Sequence, residues 1–179
     1  LLFALFVAFL ASSFSVSEEF CLQPEEQKLY NLLMEYRKKN GLDVIPISYS
    51  LTKVAKLHTA DLNQNNPVTT NCNLHSWSKK GKWTACCYNG NNASAQCMWN
   101  KPRELSNYTG DGFEIAAIAT EMNAENAFEG WKNSDGHNNV MINKGIWSSP
   151  WGAVGVSITG DYAVIWFGLE EDPDKKTVV

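Results

Sequence analysis

The residues best able to do chemistry in this chain are a histidine and a glutamate that lie about twenty residues apart. His137 belongs to the run Trp-Lys-Asn-Ser-Asp-Gly-His-Asn over residues 131–138. This run predicts the end of an amphipathic helix, a polar turn and a new helix with His137 in its first turn. An imidazole at that place can point into a cleft between two elements. Glu114 adds one carboxylate inside the apolar run Gly-Phe-Glu-Ile-Ala.

The chain has three histidines in all, and the sequence alone favours structural roles for the other two. His58 lies on the inner face of a predicted helix, where we expect a core histidine with a hydrogen-bond partner. His75 follows that helix in the run Cys-Asn-Leu-His-Ser. An exposed loop histidine is the favoured interpretation of His75, although a disulfide beside it would fix its backbone.

The signatures of common hydrolases are missing from the sequence. It contains no Gly-x-Ser-x-Gly elbow, no His-Glu-x-x-His motif and no glycine-rich phosphate loop. Ser134 lies three residues before His137, but the members of a catalytic triad meet through the fold, so closeness in sequence is poor evidence for one. Ser134 is more simply interpreted as the cap of the helix that follows. A thiol nucleophile is disfavoured if the cysteines are oxidised.

Four of the five cysteines cluster in one segment, which favours the disulfides of a secreted protein. The predicted disulfide cysteines are Cys72, Cys86, Cys87 and Cys97, with their pairing left open. A zinc knuckle is the weaker alternative, because Cys86 and Cys87 are adjacent and the usual pair of spaced motifs is absent. Cys21 is the candidate for the unpaired cysteine.

Residues 1–17 are predicted to be a signal peptide with an incomplete N terminus. Residues 1–10 are apolar, small and polar residues follow, and cleavage is expected after Ser17. A membrane anchor is the alternative, but the apolar stretch is short of the roughly 20 residues that span a bilayer. Asn92 and Asn107 begin glycosylation sequons, which agrees with secretion.

Charge and composition exclude some partners. The net charge of −4 gives no electrostatic case for nucleic acid or anionic membranes. No stretch after the signal peptide is apolar enough for an integral membrane protein. The seven tryptophans are interpreted first as packing residues and second as a binding platform.

Periodicity and turn residues predict an α+β domain over residues 18–179. Helices are predicted over residues 24–40, 50–63 and 121–131. A β-hairpin is predicted over residues 151–159 and 162–167, with its turn at Gly160-Asp161. Residues 64–108 predict a long disulfide-tied loop with one short strand near 83–88.

The Gly-Phe-Glu run, the Trp-x-x-Ser-x-Gly-His run and the late hairpin together resemble the CAP superfamily. This family of SCP-domain proteins includes cysteine-rich secretory proteins, venom allergens and plant pathogenesis-related proteins. The resemblance covers residues 25–168 and implies a three-layer α-β-α sandwich. It also implies that His75, Glu114 and His137 meet in a central cavity.

A divalent-metal site, with zinc as the expected ion, follows from that resemblance for His75, Glu114 and His137. Without a metal or another cation, a buried Glu114 would be expected to take up a proton. The chain departs from many animal members of the family at Ser134, where they carry a second cavity glutamate. One acidic group is therefore absent.

The resemblance implies a secreted, extracellular protein, a monomer or weak dimer. Its expected role is non-catalytic binding of a ligand, a partner or a lipid such as a sterol or fatty acid. The alternative is a metal-dependent hydrolase, a protease or esterase, in which Glu114 is the candidate catalytic residue that polarises a metal-bound water. The serine at position 134 weakens this alternative.

Overall fold

A computed structural model describes residues 21–179 of the chain. The predicted signal peptide lies outside these residues. The helices of the described part are α1 (Pro24–Lys39), α2 (Tyr49–Asn65), α3 (Asn92–Trp99), α4 (Lys101–Leu105), α5 (Ala124–Lys132) and α6 (Asp135–Met141). The strands are β1 (Gly112–Ile118), β2 (Ala153–Thr159) and β3 (Tyr162–Gly168).

The three strands form one antiparallel sheet in the order β1-β3-β2, with the hairpin strand β3 in the centre. β2 and β3 pair around the predicted turn at residues 160–161, where Gly160 has a positive φ of 59°. β1 pairs with the other edge of β3, and in this register Glu114 lies opposite Trp166. Glu114 is thus held on an edge strand, beside the central one.

Alternate side chains of β3 point into two separate cores, which creates three layers. Ala163, Ile165 and Phe167 belong to a core shared with α1, α5 and α6. Val164 and Trp166 belong to a second core shared with α2 and the disulfide segment, residues 64–108. The predicted α-β-α sandwich is confirmed.

The first two helices agree closely with the periodicity. α1 begins at Pro24 after a capping box between Gln23 and Glu26, and it ends before Gly41, which has a φ of 73°. α2 begins after Ser48, whose side chain accepts a hydrogen bond from the Leu51 amide. The third predicted helix begins three residues later than expected, because Asn123 caps α5 and Glu121 has a positive φ of 53°.

The interpretation of residues 64–108 as a loop with one strand was wrong in two respects. The segment contains two short helices: α3 is capped by Asn91, and α4 begins at Lys101 with Pro102 in its first turn. In place of a strand near 83–88, a single β-bridge joins Trp77 to Cys86. The segment has little periodicity because neither helix exceeds eight residues.

Two disulfides hold this segment together, Cys72–Cys87 and Cys86–Cys97. All four predicted cysteines are paired, and Cys21 is the free, exposed one. The second disulfide ties α3 to the β-bridge at Trp77. The interior of the segment also buries the ammonium group of Lys101, which pairs with Glu104 at 2.6 Å.

Candidate functional site

An aromatic cleft of about 500 Å³ opens where α3, β1 and the loop after α6 meet. Its apolar wall consists of Tyr88, Met98, Trp99, Phe113, Ile146, Trp147, Trp151 and Leu169. Its polar lining consists of His75, Glu114 and Ser149. The volume falls within the range of about 300–1,000 Å³ that is usual for small-molecule sites.

Phe113 holds the apolar wall together. Its ring lies 5.2 Å from the ring of Trp147, 5.7 Å from that of Trp151 and 5.7 Å from that of Trp99. Aromatic rings at these separations form favourable edge and tilted contacts. Phe113 and Glu114 point to opposite faces of the edge strand β1, and both border the cleft at that edge.

The carboxylate of Glu114 lies between two imidazoles. Oε1 is 2.5 Å from Nδ1 of His58, and Oε2 is 2.8 Å from Nδ1 of His75. The side chains of Glu114 and His58 have no exposed surface, whereas that of His75 is 18% exposed. The three side chains therefore form a chain of hydrogen bonds from the core to the cleft.

His58 is the innermost member of this chain. Its Nε2 donates to the backbone oxygen of Ser76 at 3.0 Å, and its ring stacks on Trp77 with 4.3 Å between centroids. The expectation of a core histidine with a partner is confirmed. The partner, however, is the candidate site's own glutamate.

The environment of Glu114 keeps it ionised. Burial acts to raise its pKa, but the charge and hydrogen bond of His58 and the hydrogen bond of His75 outweigh burial, so the pKa is lowered. From the sequence, a buried Glu114 was expected to take up a proton if no metal or other cation compensated its charge. The two imidazoles compensate that charge, so the carboxylate stays ionised.

His137 is close enough to His75 to be affected by its charge, but it is not among the residues that line the cleft. It is half-buried in the first turn of α6, as predicted. Burial lowers its pKa, and the charge of His75 lowers it further. Ser134 is the N-cap residue of α6, as predicted, but it caps the helix through its backbone oxygen, which accepts from the Asn138 amide at 2.8 Å, and its side chain makes no capping hydrogen bond.

Known structures similar to this one include bacterial surface and extracellular proteins. An outer surface protein from Borrelia burgdorferi is similar with a TM-score of 0.57 and 19% identity, over 83% of this chain and 95% of that one. An extracellular SCP-domain protein from Bacillus anthracis is similar with a TM-score of 0.56 and 17% identity, over 80% and 39% of the chains. This chain has the SCP-domain fold.

A cysteine-rich secretory protein from Staphylococcus aureus shares the SCP-domain fold as well, with a TM-score of 0.52 and 17% identity over 80% of this chain. The present chain spans only 37–39% of the length of the staphylococcal and Bacillus proteins. No protein-family model and no curated protein sequence matches the chain. At these identities, the likeness to known structures establishes the fold.

His75, Glu114 and His137 are not arranged as the three ligands of a metal site in this structure. Both oxygens of Glu114 are within hydrogen-bond distance of imidazole nitrogens. Over residues 21–179, no group of three or more His, Cys, Asp or Glu side chains could hold a metal ion. Zinc binding by His75, Glu114 and His137 stays a prediction from the sequence.

Sequence reasoning found His75 and Glu114 but underrated His58. The signal was available: an imidazole on the inner face of a helix needs a buried acceptor, and Glu114 was the buried carboxylate that needed a donor. Three of the tryptophans, Trp99, Trp147 and Trp151, also turn out to line the cleft.

The predicted glycosylation site Asn107 does not line the cleft. Asn107 is exposed, and its amide donates to Asp174 at 3.2 Å. Asn92 is the first residue of α3. Among the described helices, none combines the length and apolar character that a membrane span requires.

Proposed function

We propose that the protein is an extracellular, non-catalytic binding protein whose cleft takes an apolar ligand with one polar group. The observation that carries this proposal is the aromatic wall around Phe113, with His75 and Glu114 as the polar end. An apolar cleft with a few convergent polar groups is the usual form of a small-molecule site. Sterols and fatty acids are the ligand classes that match this pattern.

The mouth of the cleft supports the same proposal. Ile146 is 90% exposed and Leu169 is 43% exposed, and both line the cleft. Large apolar side chains exposed beside a cavity are typical of ligand-binding grooves. A ligand that filled the cleft would cover them.

Titration calorimetry with dodecanol, dodecanoate and a soluble sterol tests the proposal. Trp147→Ala should weaken the binding of whichever probe binds, because it removes one wall of the cleft. Ile118→Ala is the matched control, because Ile118 is 55% exposed and does not line the cleft. Failure of all three probes to bind, or equal loss in both variants, would refute the proposal.

Extracellular location is part of the proposal. The two disulfides support it, since such bonds persist in oxidising compartments. The similar structures named as outer surface or extracellular proteins support it as well. Expression in a secretory host, followed by enzymatic removal of N-glycans, tests both secretion and the use of Asn92 and Asn107. Sedimentation of the product tests the predicted monomer or weak dimer.

A hydrolase is the second candidate, and the pairing of Glu114 with His75 favours it. A carboxylate that orients an imidazole toward a cleft is the usual support of a general base. Ester and peptide substrates should be assayed with and without a chelator, together with zinc titration of the wild type and of His75→Ala and His137→Ala. Turnover that survives Glu114→Gln would exclude the carboxylate's role, and zinc binding unaffected by both alanine variants would exclude the predicted metal site.

A further inference from the structure

We infer that His58 is a positioning residue of the cleft: through Glu114 it fixes His75 with Nδ1 directed inward and Nε2 left to meet the ligand. The inference deepens the proposed binding function and rests on it for the role of Nε2. His58 does not line the cleft itself. It acts on the ligand only through the carboxylate that it holds.

The direction of each hydrogen bond follows from the chemistry of the partners. The backbone oxygen of Ser76 can only accept, so Nε2 of His58 must carry a proton. Glu114, as a carboxylate, can only accept as well, so Nδ1 of both His58 and His75 must donate to it. The Nδ1 proton of His75 is therefore committed to Glu114.

The rigidity of His58 comes from the layers around it. Trp77 stacks on the His58 ring at an angle of 7° between planes, and the ammonium of Lys101 lies 5.3 Å from the Trp77 ring centre, within the range of a cation–π contact. Trp166, the register partner of Glu114, meets His58 at 6.3 Å between centroids. An imidazole held on both nitrogens and by ring contacts cannot rotate to release the carboxylate.

Two conservative variants separate positioning from simple packing. The side-chain amide nitrogen in His58→Asn takes the place of Nδ1, so it keeps a donor for Glu114 and loses the contact with Ser76. The amide nitrogen in His58→Gln takes the place of Nε2, so it keeps the contact with Ser76 and loses the donor for Glu114. Both variants remove the stacked ring and have similar polarity.

Nitrogen-15 NMR of the histidine rings, without ligand, is the direct test. In the wild type and in His58→Asn, we expect Nδ1 of His75 to carry a proton. In His58→Gln, Glu114 loses the donor that holds its side chain in place, so we expect the carboxylate to leave His75 part of the time and the ring to become a mixture of the two tautomers. A lone pair on Nδ1 of wild-type His75, or an unchanged spectrum in His58→Gln, would overturn the inference. A lone pair on Nδ1 in the wild-type spectrum would overturn the inference even if a variant failed to fold.

Ligand affinity gives a second measurement. For the dodecyl or sterol probe that binds best, we expect His58→Gln to weaken binding about tenfold and His58→Asn to weaken it less. Equal losses in the two variants would mean that His58 contributes packing alone and would overturn the inference. Because the NMR test needs no ligand, a failure of the proposed binding function is distinguishable from a failure of the positioning role.

Discussion

At the scale of single residues, the site depends on one buried carboxylate with two imidazole partners. The sequence indicated Glu114 because a lone acid in an apolar strand must be compensated. His58 was a candidate partner, but the sequence did not place it beside Glu114, because His58 and His75 are 56 and 39 residues away from Glu114. That pairing is decided by the packing of α2 across β2 and β3, which no local pattern encodes.

Replacing Glu114 by glutamine should be costly for stability. Glu114→Gln keeps the volume but removes the charge that both imidazoles face, and loss of one partner in a buried pair typically costs about 3 kcal/mol or more. Chemical denaturation at neutral pH measures the change. Glu129→Gln is the control, since Glu129 is exposed and pairs with Lys132 on the surface of α5. Equal effects from the two changes would contradict the assigned role of Glu114.

The lowered pKa of His137 predicts a pH dependence of stability. Burial disfavours the charged ring in the folded state, so below about pH 6.5 the unfolded chain binds a proton that the folded chain does not. The free energy of unfolding should therefore fall as the pH drops from the unfolded pKa to the lower, folded one. His137→Gln should lose less stability than the wild type over that interval. Parallel stability curves would count against a buried, neutral His137.

At the scale of elements, the helices and strands were predicted best where the local pattern of apolar and turn residues is strongest. The long helix α1 and the hairpin were predicted within a few residues, because each has a full amphipathic or alternating pattern and clear turn residues. The short helices α3 and α4 were missed. Their ends are fixed by Asn91, Pro102 and a disulfide, so covalent and capping constraints replace periodicity there.

The contact between α2 and β2 requires a glycine at position 155. A Cβ atom there would overlap the backbone of Leu51 and Thr52, so Gly155→Ala must push α2 off the sheet. We expect a loss of about 3 kcal/mol or more, the upper range for overpacking. Gly130→Ala is the matched control: it has open space, lies inside α5 and should gain up to about 1 kcal/mol from helix propensity. Thermal denaturation of both variants gives the comparison.

The disulfide between Cys86 and Cys97 should matter more to the cleft than its neighbour. It anchors α3, which supplies Met98 and Trp99 to the wall, whereas Cys72–Cys87 is directly adjacent to one lining residue, Tyr88. Each paired alanine replacement should cost about 2–4 kcal/mol. Only Cys86→Ala with Cys97→Ala should also weaken probe binding in calorimetry. Loss of binding in both double variants, or in neither, would contradict this assignment.

At the scale of the whole molecule, the two cores have different roles. The core on the side of α1 and α5 is built from ordinary apolar packing and was predicted from helix faces. The core on the side of α2 surrounds His58 with Trp77 and Trp166 and borders the cleft. The resemblance to SCP domains indicated the sandwich as a whole. The disulfide segment supplies four of the residues that line the cleft, His75, Tyr88, Met98 and Trp99.

The four methionines allow one measurement to test whether the cleft is the binding site. Met98 lines the cleft, whereas Met34, Met122 and Met141 lie in the opposite core. In protein labelled with carbon-13 at the methionine methyl groups, titration with the probe that binds best should shift the Met98 signal and leave the other three in place. A probe that saturates the protein without moving Met98, or that moves the three core signals instead, would contradict the proposed ligand cleft.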